Sequence, residues 1–240
     1  MSDWLLNSAE WSAVRLSIQV ALTATALSLP LGIAIGYLLA RRQFAGKAFV
    51  ETALSLPLVL PPVVTGYLLL LTLGRRGWLG QHLYDWFGVS LVFTWQGAAL
   101  ASAVMAFPLM VRAIRLAFAG VDVRLEQAAR TLGAGAAETF WRISLPLARR
   151  GIIAGAVLAF ARSIGEFGAT IMFAGNIPDE TQTIPVYIYT LSNSPGGMEE
   201  SARLVLASIA IAAGALFTAE WFDRRGTLAE ARTPDATTAL

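Results

Sequence analysis

The apolar positions fall into long stretches bounded by charge. Nothing is charged between Arg15 and Arg41, between Glu51 and Arg75, or between Asp85 and Arg112. A helix needs about 20 mostly apolar residues to cross the hydrocarbon core. The pattern therefore predicts an all-α polytopic membrane protein with about five spans. They fall at about 16–40, 54–73, 91–111, 151–175 and 204–222. Two further segments, 125–145 and 180–192, are too polar or too short to cross. Residues 1–240 read as a single transmembrane domain. The first span is longer than a secretory signal core, and "LARRQFAGK" after it offers no small-residue cleavage site, so it reads as a retained helix.

Composition agrees: 56% of the 240 residues are hydrophobic and only 14% are charged. The absence of cysteine excludes disulfides and thiolate chemistry. One histidine, His82, cannot build a metal cluster or a Ser–His–Asp set at membrane depth, so neither a metal site nor a catalytic set is expected. The basic pI of 9.3 reads as topology rather than nucleic-acid binding. Segments 41–50, 112–150 and 223–240 carry 13 of the 18 Lys and Arg residues. The opposite loops carry only Arg15, Arg75, Arg76 and Arg203. Positive residues stay inside. This predicts an outer N-terminus and a cytoplasmic C-terminus. Trp78 and Trp86 then fall at the outer interface and Trp221 at the inner one, where amphipathic rings prefer to sit.

Pro30, Pro57, Pro61, Pro62 and Pro108 punctuate the spans. Each removes a backbone hydrogen bond and bends its helix. The bends either shape the bundle or let helices line a path and move. No internal repeat is visible.

The segment 122–146 departs from the apolar rule. Leu125, Ala128, Ala129, Leu132, Ala136, Phe140 and Ile143 recur at spacings of three and four, one face of a helix. Glu126 and Arg130 pair at i,i+4 in the favourable order, as do Glu138 and Arg142. Gly133 and Gly135 suit a chain reversal. The expectation is a helix–turn–helix outside the bilayer, ended by Pro146 before the fourth span. A face rich in Ala and Gly fits a groove on another protein. The other reading is a helix lying on lipid, against which stands the small area that Ala buries.

Here the sequence resembles a known family. Glu126, Ala128, Ala129, Gly133, Ile143, Leu145 and Pro146 match the coupling-loop motif of ABC importer permeases, with Gln127 separating the glutamate from the alanines. "LPLVLPPVVTGYLLLLTLGRRGWLG", "VDVRLEQAARTLGA" and "AFARSIGEFGATIMFAGNIPDETQTIP" are similar to the molybdate-importer branch, and sulfate permeases share part of them. The resemblance implies the type I ABC importer permease fold in a bacterial inner membrane. It implies a homodimer with two cytoplasmic ATP-binding subunits and a periplasmic oxyanion-binding protein. The loop would dock on the ATPase, with Glu126 near the start of the docking helix. The cargo would be molybdate, with sulfate or tungstate as alternatives.

Arg162 and Glu166 lie inside the fourth span, where an unpaired charge costs roughly 2.5–3.5 kcal/mol. Four residues apart, they can pair, either as a staple or at the border of a translocation path. Gly165 and Gly168 beside them allow another helix to approach. Thr65 and Ser102, with Thr94 and Gln96, are candidate neutral donors along such a path. Hydroxyls in spans usually bond their own helix instead.

No G-x-x-x-x-G-K-[ST] occurs, so ATP and Mg are expected on a partner and no cofactor in this chain. An ion-coupled secondary transporter is the rival class. It would need its own ion site, for which only Arg162 and Glu166 qualify, and usually internal repeats.

Overall fold

A computed structural model describes the backbone of residues 6–230 and the side chains through residue 218. The expected position of Trp221 lies outside the described side chains. Every regular element among the described residues is helical.

Helix α1 spans Ser8–Arg41. Asn7 starts it with a capping box: its side chain accepts from the Glu10 N–H, and the Glu10 carboxylate accepts from the Asn7 N–H. The expected second span is two helices rather than one. Helices α2 (Lys47–Val59) and α3 (Pro62–Leu73) meet at 113°. Consecutive prolines cause the break. Each one disfavours helical backbone at the residue before it, and Leu60 and Pro61 are both extended. The bent pair runs from one end of helix α5 (Trp95–Ala119) toward the other. Glu51 of α2 pairs with Arg115 near the end of α5, at 2.9 Å. Leu70 and Leu73 of α3 pack against the same buried cluster as Leu91 and Val92, just before α5 begins. Those levels are separated by about 30 Å of helix. Between α3 and α5 lies α4 (Trp78–Phe87), with Trp78 and Trp86 exposed and His82 stacked on Trp86.

Helix α5 is the axis of the fold. It is clasped on two sides by glycine pairs spaced four apart. Gly32 and Gly36 of α1 lie against Met110 and Ile114. Gly151 and Gly155 of α8 (Leu145–Ile164) lie against Ala117, Ala113 and Ile114. A Cβ at Gly36 would stand 2.7 Å from the Ile114 side chain. In lipid, helices gain association energy by such close approach. The buried cluster Ala106, Met110, Ile114, Phe118, Ala148, Ile152 and Ala159 is this three-helix seam.

The expected fourth span also divides. Helix α8 stops at Ile164, residues 165–167 break it, and α9 (Gly168–Phe173) resumes. Gly168 is needed there: its Cα faces Pro62 and Val63 of α3, and a Cβ would meet Pro62 at 2.7 Å. Gly165 has open space around it. Helix α10 (Ile184–Ser192) is anchored when the Ile184 N–H donates to the Ser17 hydroxyl of α1 at 2.7 Å. Helix α11 spans Gly197–Glu230. Its Arg203 pairs with the buried Glu10 carboxylate at 3.0 Å, closing the last helix onto the first.

Candidate functional site

The polar segment forms α6 (Val123–Thr131) and α7 (Ala136–Thr139). Asp122 caps α6 by accepting from the Arg124 N–H. The turn after α6 is a Schellman motif. The Gly133 N–H donates to the Arg130 carbonyl and the Ala134 N–H to the Ala129 carbonyl. Gly133 carries φ +94°, the left-handed conformation the motif requires. Gly135 does not share this constraint, since its φ is −69°.

Pro146 does not end the segment. The chain stays helical from Ala136 through a π turn (Phe140–Ser144) into α8, where Pro146 sits in the first turn. A proline ring would clash with the carbonyl four residues back and supplies no N–H. The wider π turn absorbs both, with the Leu145 N–H donating to the Phe140 carbonyl. The second arm of the polar segment is thus the rigid extension of a long helix.

Glu126 lies in the first turn of α6 and faces inward. It is 7% exposed. Its carboxylate accepts from Arg41 Nε at 3.0 Å and from the Ser144 hydroxyl at 2.8 Å, and it forms an ion pair with Arg41 Nη2 at 2.9 Å. Arg41 also donates to the Val121 carbonyl. One carboxylate therefore ties α6 to the end of α1 and to the π turn. Beside it, the rings of Tyr37, Phe118 and Phe140 pack edge to face and tilted, with centroids 4.9–6.1 Å apart. The Glu138–Arg142 pair forms as expected from spacing, but on the surface.

The outward face is different. Leu132 at the tip is 89% exposed, and Ala128, Gly133 and Pro146 are also exposed. Ala129, Ile143 and Leu145 are partly covered. A hollow of about 300 Å³ lies between Ala129, Leu132, Gly133, Glu138 and Ile143. Rigid backing and an open apolar tip suit it to receive a partner.

The intramembrane candidates meet around Ala169. Arg162 Nη1 and Glu166 Oε2 pair at 2.7 Å, with side chains 30% and 2% exposed. Glu166 stands in the break after α8, so the two do not share a continuous helix. Its other oxygen accepts from the Ala169 N–H at 2.9 Å, satisfying the start of α9. Gly66, beside Thr65, packs directly on Ala169, and Ala101, beside Ser102, belongs to the same buried cluster as Ala169. The hydroxyls of Thr65, Ser102 and Ser163 are buried without partners. Thr52, Ser55 and Thr72 instead donate to their own helix carbonyls, the usual behaviour. Thr94 is spent on capping α5. Gln96 lines an apolar cavity of about 650 Å³ between α1, α2 and α5. Sequence spacing missed Arg41 and Ser144, which bind Glu126. A basic residue at the end of the first charge-free stretch was its only visible sign.

Glu166→Gln is expected to destabilise the chain by about 3 kcal/mol, the low end for a broken buried pair because Arg162 is partly exposed. Arg162→Met with Glu166→Leu should recover most of that loss. Thermal midpoints in nanodiscs check it. A single variant as stable as wild type would show that the pair holds nothing together.

Residues 13–226 match the family described as binding-protein-dependent transport system inner membrane component. The molybdenum transport system permease protein ModB of Escherichia coli strain K12 is 60% identical over 220 residues, 92% of this chain and 96% of that one. The protein of the same name from Haemophilus influenzae is 53% identical, over 90% and 94%. The sulfate permease CysW of Synechococcus elongatus is 36% identical, over 73% and 61%. Among solved structures, a bacterial alginate ABC transporter bound to its periplasmic protein aligns at TM-score 0.72 and 18% identity, over 92% and 80%. The methionine ABC transporter MetNI, inward facing, aligns at TM-score 0.66 and 17% identity, over 94% and 99%. The fold is that of type I ABC importer permeases, and the chain belongs to the binding-protein-dependent transport system inner membrane component family.

Proposed function

We propose that this chain is the permease of an ATP-driven molybdate importer. Two copies would enclose the path, with an ATPase docked on each 122–146 segment and a periplasmic protein delivering the anion. The observation that carries the reading is the exposed tip of that segment, clamped rigidly to the spans by Glu126. A helix pair built only to lie on lipid needs no such backing. ATP and Mg would reside in the partner, because this chain lacks a P-loop. Molybdate is favoured over sulfate by the relatives: the two molybdenum permeases above are 60% and 53% identical over 96% and 94% of their length, the Synechococcus sulfate permease 36% identical over 61%.

The orientation follows from charge. Arg41, Arg112, Arg115 and the 122–150 segment gather at one end, which we place in the cytoplasm. The N-terminus and α4 then face the periplasm. Lys47, the only lysine, tests this. A membrane-impermeant amine reagent on spheroplasts should leave it unlabelled until the membrane is opened. Earlier labelling reverses the orientation. The function itself is tested by reconstituting the chain with the ATPase and periplasmic binding protein of a molybdate importer. ATP-dependent molybdate uptake into vesicles is expected. Uptake driven by a proton gradient without ATP would refute the reading.

A further inference from the structure

At the end of the bundle opposite the 122–146 segment, the loop after α3 opens a cavity of about 620 Å³. Its polar lining is Arg75, Arg76 and Ser90, and its floor is Leu70, Val92 and Phe93. None of its lining residues is acidic. Arg75 is held in place: it donates to the Tyr84 hydroxyl, and its guanidinium carbon lies 4.2 Å from the Tyr84 ring centroid. Arg76 has no hydrogen-bond or ion-pair partner among the described residues. The arginine-lined hollow at the other end differs, because there Glu126 neutralises Arg41.

We propose that Arg75 and Arg76 form a binding site for a tetrahedral oxyanion. Guanidinium forks match such oxygens two at a time, and the Ser90 hydroxyl adds a neutral donor. One arginine is pre-positioned by Tyr84 and the other is uncommitted, so little must be rearranged or broken on binding. A small dianion fits within the cavity, whose arginines and Ser90 are exposed. The same chemistry serves a free oxyanion arriving from outside or the phosphate of a phospholipid whose chain runs along Leu70 and Leu71. The free-anion form rests on the import reading above.

The test uses the permease alone, wild type and Arg75→Gln/Arg76→Gln, in nanodiscs. In one arm the lipid is phosphatidylcholine, and bound sodium molybdate or sodium sulfate is measured by equilibrium dialysis. In the other arm no oxyanion is added, and retained phosphatidylglycerol is counted by native mass spectrometry. Saturable binding of one dianion per chain, weakened at least tenfold in the variant, supports a site for free oxyanion. A tenfold difference in the lipid arm alone supports the site with lipid phosphate as its occupant. Equal binding by both proteins in both arms overturns the proposal. That result would leave the import reading intact, since ATP-driven uptake is scored separately with the full complex.

Discussion

Glu126→Ala is expected to lower the thermal midpoint of the permease by roughly 10 °C, before any partner is added. The side chains of Glu126 and Arg41 are 9% and 10% exposed. Removing the carboxylate leaves Arg41 buried with only the Val121 carbonyl, and leaves Ser144 with a distant Thr139 carbonyl at 3.5 Å. Breaking so buried a pair from one side costs about 4 kcal/mol. Arg41→Met with Glu126→Leu removes both charges and should recover most of it. The α6 amides should also exchange faster in the single variant, because α6 loses its tie to α1 while Asp122 and the Gly133 turn remain. A motif glutamate that worked by touching the ATPase would behave otherwise. Glu126→Ala would then keep the wild-type midpoint and lose only ATPase binding, and that outcome would end the clamp explanation.

The division between what the sequence made legible and what it hid follows from the range of each interaction. Local signals were legible. Charge-free runs, the Ala and Gly periodicity of 122–146 and the Gly133 turn depend on neighbours within a few residues. The helix break at Leu60–Pro61 was half legible. Proline announced a bend, but only the double proline and the chain's return to α5 set its 113° size. The break at Gly165 was missed because charge-free length says nothing of where a helix pauses. Glu166 fills the pause by capping α9, a role that spacing alone read as an i,i+4 pair. The long-range pairs were invisible for a different reason. Glu10 with Arg203 and Glu126 with Arg41 join residues 193 and 85 positions apart. Nothing in either local pattern marks the partner. The glycine pairs 32/36 and 151/155 were readable as small-x-x-x-small faces. Their shared target on α5 became clear only once the three helices were together.

Gly133→Val should leave the permease inserted and folded, yet abolish ATP-driven uptake. The residue holds φ +94° with nothing within 4 Å of where a Cβ would stand. The substitution therefore clashes with no atom of this chain. Its cost is conformational, about 1–2 kcal/mol, and higher for a β-branched residue that avoids this region. That cost is too small to unfold a bundle anchored at Gly32, Gly36, Gly151 and Gly155. It is large enough to open the Schellman turn and swing Leu132, whose exposed side chain forms the tip. An interface that depends on the placement of one apolar tip loses affinity steeply when the tip moves. ATPase recovered with the permease should fall at least tenfold at matched membrane levels. Gly133→Asn separates geometry from surface chemistry, because asparagine tolerates the left-handed conformation. It should keep the turn, and with it most of the ATPase and uptake. If valine and asparagine both bind ATPase as the wild type does, the tip is no docking element and the segment only lies against lipid. If both lose it equally, the turn's conformation is not what the ATPase reads.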